Sequence, residues 1–294
     1  MTTIFALFAF AGNSVLCRLA LGNQTIDATS FTVIRLVSGA FALSLMFLVR
    51  RQFTKNKGVF GSPSLSQSWG EKWRSASMLF VYAAGFSYAY MALDTGVGAL
   101  VLFGTVQLTM IAVSIYNKEH LPWHKFLGML MAFCGLCFLV YTQLDWSSAQ
   151  ISISGFTLMV AAGIAWGAYT LIGRGSVTPL IDTSTSFLLS TLLCLPLLFV
   201  YWFTPALLTE QGLWLALASG VVTSAFGYAI WYIALSGLSR VQAGVVQLLV
   251  PVIAALGGVL WMGESISKEL VIAQVLVLSG IIIVMINRRV KERR

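Results

Sequence analysis

Two histidines and two cysteines have the spacing that is closest to a metal or redox site. His120 and His124 are four residues apart, and Cys134-Gly-Leu-Cys137 places two thiols three positions apart. A zinc site needs further ligands, and Pro122 lies between the histidines, so we interpret this segment as a solvated loop. The thiols lie inside an apolar segment without the basic neighbour that activates cysteine. We interpret them as packing residues, and the sequence predicts no metal, no cofactor and no disulfide.

Catalytic and nucleotide-binding motifs are also missing from the sequence. It contains neither the HExxH motif of zinc proteases nor the GxxxxGK loop that binds ATP. Both histidines lie in one loop, so neither is available to activate a serine inside an apolar segment. A channel needs rings of carbonyls or charges along a pore, and the sequence does not repeat such groups. We therefore predict that the protein is not an enzyme and has no catalytic residues.

A glutamine-containing stretch occurs twice in the chain. Residues 86–108 and 226–248, at a fixed offset of 140, are identical at eight of 23 positions without a gap. The matches least expected in an apolar sequence are Phe86/Phe226, Tyr88/Tyr228 and Gln107/Gln247. Internal duplication of this kind is typical of secondary transporters. We interpret the chain as two copies of one unit, residues 1–144 and 145–294.

Aromatic and amide side chains inside the apolar segments are the candidate binding groups. Aromatic faces suit an uncharged or zwitterionic organic molecule, and an amide offers both a donor and an acceptor. Gly163 and Gly167 form a small-xxx-small face that allows close helix approach. An interhelical hydrogen bond is an equally good account of Asn13. The predicted substrate-binding residues are Asn13, Tyr88, Gln107, Trp166, Tyr169, Tyr228, Trp231 and Gln247.

Arg18 and Arg35 are the two basic residues inside the apolar segments, each toward the predicted outer end. One interpretation is that both side chains reach the outer membrane interface, with Asp27 between them as a partner. The other is that they contact an anionic group in an outer vestibule. Pro251 is a further candidate, because proline lacks the N–H that would bond the carbonyl of Gln247. We predict a helix kink there, and packing alone is an open alternative to a role in binding.

The elements that position these residues are membrane-spanning helices. Apolar residues make up 58% of the 294 positions and charged residues 10%, whereas soluble domains carry about 25% charged residues. A span needs about 20 mostly apolar residues. Ten segments qualify, at residues 2–20, 30–50, 76–93, 97–116, 124–142, 152–173, 183–203, 212–234, 240–262 and 268–287. The sequence predicts an all-α integral membrane protein with ten transmembrane helices in two five-helix repeats.

The distribution of charge predicts the orientation of these helices. If the N-terminus is cytoplasmic, fifteen Lys and Arg residues lie in inner loops and the tail, and only Lys268 lies in an outer loop. This satisfies the positive-inside rule and explains the net charge of +8 without a nucleic-acid partner. We predict an inner loop over residues 51–75 and a cytoplasmic C-terminus. Five spans per half then make the second copy inverted relative to the first.

Several of these segments resemble the EamA-type branch of the drug/metabolite transporter superfamily. The similar residues are Gly12-Asn13, Arg35, Trp166-Gly167, GYAIWYIAL (227–235), VVQLLVPVIAALGGVLWMGESIS (245–267) and Gly280. The resemblance implies a ten-helix carrier in a bacterial inner membrane, with a central cavity between the halves. It also implies transport of small metabolites, in many members the export of amino acids.

The function predicted from the sequence is a secondary transporter, in the export direction, of small organic metabolites such as amino acids, working by alternating access. The expected partners are a small-molecule substrate and the lipid bilayer, and the protein is expected as a monomer or weak homodimer. A nucleotide-sugar or sugar-phosphate carrier is an alternative, although a dianionic substrate calls for more cations than Arg18 and Arg35. A membrane scaffold without transport activity is the other alternative.

Overall fold

The computed structural model describes residues 2–53, 68–117, 123–143, 153–174, 176, 178–235, 246–247 and 249–285. Its helices in chain order are α1 Thr2–Gly22, α2 Ala28–Phe53, α3 Trp69–Ala89, α4 Thr95–Tyr116, α5 Trp123–Gln143, α6 Ile153–Gly173, α7 Pro179–Leu193, α8 Glu210–Leu235, α9 Leu249–Met262 and α10 Lys268–Met285. A 3-10 helix, Leu195–Trp202, extends α7. The middle of α8, Ser219–Phe226, is a π-helix. In these ranges the extended structure is one isolated bridge between Ile26 and Leu208.

The predicted all-α membrane fold is confirmed. Six helices in the described ranges are long and apolar enough to cross a membrane, namely α1, α2, α4, α6, α7 with its extension, and α8. Shorter apolar helical stretches occupy Phe126–Leu139 and Leu249–Met262. Large apolar side chains such as Phe41 and Leu260 point outward, as expected for helices that face lipid. The number of ten spans stays a prediction.

The start of α3 corrects the boundary of the predicted inner loop. Residues 69–75 were expected in the loop 51–75, but they form the first turns of α3. The Ser68 side chain accepts a hydrogen bond from the Glu71 backbone N–H, and the Glu71 carboxylate accepts one from the Ser68 N–H. This capping box fixes the helix start, and the Ser68 N–H lowers the pKa of Glu71. Residues 54–67 and the predicted repeat boundary at 144/145 lie outside the described residues.

The two halves of the chain pack against each other in a reciprocal pattern. Helix α1 lies against α8 and α9, and α6 lies against α3 and α4, while α2 packs on α7 and α5 on α10. The first helix of each predicted repeat thus contacts the third and fourth helices of the other. The close approach predicted for α6 is confirmed, because a Cβ added to Gly163 would lie 2.7 Å from the Cβ of Thr105. The interior between α1, α3, α6 and α8 contains the candidate site.

Candidate functional site

Five aromatic side chains from both halves meet in the interior and form what we name the aromatic cluster: Phe10, Tyr82, Trp166, Tyr228 and Trp231. The Trp166 ring centroid lies 4.8 Å from that of Tyr82 and 4.7 Å from that of Tyr228. Phe10 lies 5.6 Å from Trp166 and 5.5 Å from Trp231. These are ordinary distances for offset and edge-to-face ring pairs. The structure therefore brings together three of the predicted binding residues, Trp166, Tyr228 and Trp231.

The cluster is closed in this conformation. Trp166 is 2% exposed and Tyr228 and Trp231 are 1% exposed. Tyr169 extends the group, with its ring centroid 5.5 Å from that of Trp166. The rings thus fill the interior between the halves, where the resemblance implies a central cavity.

The predicted amide residues are buried beside the cluster. Asn13 Nδ2 donates to the Tyr82 hydroxyl at 3.2 Å, and Asn13 Oδ1 accepts from Ser219 at 2.7 Å and from Thr223 at 3.1 Å. These contacts make Asn13 an interhelical bridge, as one of its two predicted roles required. Trp166 Nε1 donates to Gln247 Oε1 at 3.4 Å.

Two predicted residues, Gln107 and Tyr88, are not members of the aromatic cluster. Gln107 is buried on α4, the helix that packs on α6. The Tyr88 hydroxyl lies 2.6 Å from the Thr29 hydroxyl, near the start of α2. The α3 tyrosine that faces the cluster is Tyr82, since a shift of six residues along a helix rotates a side chain by about 240°.

Arg35 contacts the aromatic cluster from α2 and is 1% exposed. Its Nη2 donates to the hydroxyls of Tyr82 and Tyr228, both at 3.0 Å, and its Nε donates to Ser224 Oγ at 3.0 Å. The guanidinium carbon lies 5.1 Å from the ring centroids of Tyr82 and Phe86, within the range of cation–π attraction. A permanent cation is therefore held in the interior by neutral groups.

The π-helix of α8 positions the hydroxyl groups that contact α1 and α2. Ser219 and Thr223 bond to Asn13, and Ser224 bonds to Arg35. Segments of π-helix are rare and frequently occur at functional sites. A Cβ added to Gly220 would lie 2.5 Å from the carbonyl oxygen of Arg35, so glycine at this position is what permits α8 to approach α2.

A second charged group, which we name the outer ion cluster, consists of Arg18, Asp94 and Glu264. Arg18 Nη2 lies 2.9 Å from Asp94 Oδ1, Arg18 Nε lies 3.4 Å from Glu264 Oε1, and Arg18 Nη1 donates to the Tyr90 carbonyl at 3.1 Å. Glu264 also accepts from the Thr95 N–H and hydroxyl. A carboxylate at the N-terminus of α4 is favoured by the helix dipole. The cluster joins α1, the α3–α4 loop and the α9–α10 loop.

The predicted arrangement of the two arginines is corrected by these contacts. Arg35 is neither in an outer vestibule nor at the membrane interface, because the interior buries it. Arg18 pairs with two carboxylates other than Asp27. Asp27 instead accepts from the Ser30 backbone N–H at 2.8 Å and from the Tyr201 hydroxyl at 3.1 Å, and it caps α2. These partners are distant in the sequence, and hydropathy patterns carry no information about them.

Glycines shape the backbone around Glu264. Gly263 has a φ of +66°, which favours glycine because it has no Cβ. A Cβ added to Gly258 would lie 2.2 Å from Glu264 Oε2, so glycine is needed there to admit the carboxylate. A cavity of about 230 Å³ borders Asp94 and Glu264 on the α9–α10 side. Water can therefore approach this cluster, whereas the aromatic cluster is enclosed.

Pro251 lies buried in the first turn of α9, and its kink stays a prediction.

Cys134 and Cys137 are exposed on α5, so they are not the packing thiols that we expected. Tyr82 and Phe86 are four residues apart on one helical face, and this spacing was a signal that sequence reasoning missed. The site residues not predicted from the sequence are Phe10, Tyr82, Phe86, Ser219, Thr223, Ser224, Asp94 and Glu264.

Comparison with known proteins connects this bundle to transporters. The model of the EamA-like transporter family matches residues 153–286. An uncharacterized protein of Pseudomonas aeruginosa is 44% identical over 288 residues, covering 98% of this chain and 94% of that protein. The uncharacterized transporter YwfM of Bacillus subtilis is 23% identical over 275 residues, and the match covers 90% of this chain and 86% of that protein.

Two further similarities are more distant. The threonine/homoserine exporter RhtA of Salmonella typhimurium is 26% identical over 192 residues, covering 63% of this chain and 60% of that protein. A crystal structure of a protein that is 19% identical superposes with a TM-score of 0.69 and covers 98% of both chains. At this identity the superposition shows a shared fold and nothing about the substrate.

Proposed function

The chain belongs to the EamA-like transporter family of the drug/metabolite transporter superfamily, and from this premise we propose that it exports small zwitterionic metabolites, such as amino acids, by alternating access. It is a multi-pass membrane protein, and several of its relatives are named as transporters. The proposal concerns the substrate, the direction of transport and the residues that bind.

The observation that carries this proposal is the meeting of aromatic and amide side chains between the two halves. Trp166 of α6 and Tyr228 and Trp231 of α8 contact Phe10 of α1, and Gln247, which precedes α9, accepts from Trp166. Transporters of duplicated architecture bind substrates at the interface between repeats. A zwitterion fits these groups because its ammonium group can lie on an aromatic face.

The outer ion cluster supports alternating access. Arg18 on α1 and Glu264 in the α9–α10 loop come from opposite halves of the chain, and their pairing joins the halves at the end of the bundle that we predict to be the outer one. Rocking of one half against the other would separate this pair and open a path to the aromatic cluster. In this proposal the described conformation is closed on the outer side.

The relative named as a threonine/homoserine exporter supports the choice of substrate and direction. Its identity of 26% makes L-threonine and L-homoserine the first probes rather than the assigned substrates. The basic inner loops support an orientation with both termini in the cytoplasm of a bacterial inner membrane. Single cysteines at positions 145 and 292 test this, since an impermeant maleimide should label only position 145 in intact cells.

Counterflow in proteoliposomes tests the transport proposal. Liposomes preloaded with one unlabelled L-amino acid are given the same labelled amino acid outside, starting with threonine and homoserine and continuing through the common set. We expect accumulation of at least one, and loss of it in Trp166→Ala. Trp214→Ala is the matched control, because Trp214 is 63% exposed on α8. Equal loss in both variants, or no counterflow of any amino acid, would contradict the proposal.

A further inference from the structure

Arg35 is a buried cation that has no carboxylate within ion-pair distance among the described residues. The ion pairs within 4.0 Å among the described residues are both formed by Arg18, with Asp94 and Glu264. Within the described part of the chain, the Arg35 side chain donates to the hydroxyls of Tyr82, Tyr228 and Ser224. Burying an unpaired charge is costly, and in proteins such charges are normally paired. This uncompensated charge lies beside the aromatic cluster, which contains three of the predicted binding residues.

The site also has more hydrogen-bond donors than acceptors. Arg35 Nη1 and Trp231 Nε1 are buried and have no hydrogen-bond partner in the structure. Tyr82 and Tyr228 accept from Arg35, and their hydroxyls also bond to each other, so one hydroxyl proton of the pair is left for another acceptor. The amide oxygen of Asn13 is already occupied by Ser219 and Thr223. No described residue places a negatively charged acceptor within ion-pair distance of Arg35.

We infer that Arg35 is the anion-binding residue of the carrier and that its ligand is the carboxylate of the transported metabolite. This inference rests on the proposed function and narrows its substrate class to small molecules with a carboxylate and a group that fits between aromatic rings. When the rings separate, Arg35 Nη1 and the hydroxyls of Tyr82 and Tyr228 are the donors to the carboxylate. Arginine forms such contacts in a planar, bidentate geometry.

The aromatic rings determine how selective this site is. Phe86 and Tyr82 hold the guanidinium in place by their faces, which leaves its edge for hydrogen bonding. One carboxylate neutralises one guanidinium, whereas a phosphate dianion would leave excess negative charge in the interior. The single cation therefore favours monocarboxylates over phosphorylated substrates.

Thermal melting of the purified protein with simple probes tests this site without any transport assay. Propionate is compared with propionamide, which has the same shape without charge, and with chloride at the same ionic strength. We expect propionate alone to raise the Tm, by about 2–5 °C at saturating concentration. The shift should disappear in Arg35→Gln and persist in Arg18→Gln. An equal shift with propionamide or chloride, or a shift retained in Arg35→Gln, would overturn the inference.

If Arg35→Gln does not fold, Tyr82→Phe is the second variant for this test. It removes one hydrogen-bond donor and keeps the aromatic ring at position 82 and the charge of Arg35. We expect it to weaken propionate binding about 3- to 10-fold. Unchanged propionate binding in Tyr82→Phe, with Arg35→Gln unfolded, would also count against the site.

Counterflow separates this inference from the proposed function. Each transported amino acid is compared with its carboxamide, which keeps the ammonium group and loses the negative charge. We expect the amide to be transported about 10- to 100-fold more slowly. Equal rates would leave the carrier function intact and refute the carboxylate site. A propionate shift that needs Arg35, without counterflow of any amino acid, would support the site and refute the proposed amino-acid substrates.

Discussion

Arg18 and Arg35 are the same residue type in two neighbouring helices, and their surroundings are opposite. Arg18 lies between two carboxylates and a backbone carbonyl near one end of the bundle. Arg35 lies among three hydroxyl groups in the interior, with one nitrogen unpartnered. The first arginine has its charge satisfied by the protein, and the second does not.

This difference separates a structural role from a binding role. An ion pair built into the fold fixes the helices that supply it, and removal of one partner leaves the other uncompensated. A buried cation that the fold does not neutralise adds little to stability and is available to a ligand. The comparison therefore predicts opposite consequences for the same substitution at the two positions.

The largest expected effect is on transport in Arg35→Met. Methionine fills much of the same space without charge, so we expect counterflow to fall about 100-fold or more while the Tm stays equal or rises. The measurements are counterflow in proteoliposomes and thermal melting of the same preparation. A large drop in Tm would mean that Arg35 is mainly structural, and the distinction between the two arginines would fail.

Arg18→Met should show the reverse pattern. It leaves Glu264 mostly buried with only Thr95 as a described partner, so we expect a loss of about 2–4 kcal/mol of stability. The outer end should also open more often. In a variant that keeps only Cys17 of the four cysteines, the buried thiol beside Arg18 should react faster with a small maleimide. Unchanged stability and labelling would argue against a role of this cluster in closure.

Two glycines allow each region to be perturbed without changing its charge. Gly258→Ala places a Cβ against the Glu264 carboxylate, and Gly220→Ala places one against the backbone of Arg35 and the Ser38 side chain. We expect each to cost about 1–3 kcal/mol by overpacking. Only Gly220→Ala should also weaken propionate binding. Gly70→Ala is the control, because nothing lies within 4 Å of a Cβ there.

Asp94→Asn should have the smallest effect. The Asp94 side chain is 58% exposed, and solvent screens its pairing with Arg18, so the expected loss is about 0–1 kcal/mol. Thermal melting of Asp94→Asn and of Glu264→Gln compares how much each carboxylate of the outer ion cluster contributes to stability. A larger loss in Asp94→Asn than in Glu264→Gln would reverse their assigned importance.

The sequence predicts the parts of this structure that depend on local composition. Apolar length identified the helices, and the unusual residues within them pointed to Trp166, Tyr228 and Gln247. The start of α3 was also readable, because Ser68 and Glu71 have the spacing of a capping box. Residues 69–75 therefore belong to α3 and not to the predicted loop 51–75.

The remaining features depend on contacts between distant residues. Arg18 and Glu264 are separated by 246 positions, and apolar periodicity does not determine which loops meet. The internal repeat predicts Tyr88 as a binding residue because Tyr88 matches Tyr228 in sequence. Helix packing instead turns Tyr82 toward the interior. The π-helix of α8 is a backbone adjustment with no sequence motif, and it decides which hydroxyls face Asn13 and Arg35.

The ratio of amino-acid to amino-amide counterflow, measured for the wild type and for Arg35→Gln, tests the central claim most directly. We predict a strong preference of the wild type for the carboxylate form and little or no preference in Arg35→Gln. The same preference in both proteins would contradict the assignment of Arg35 as the residue that recognises the substrate.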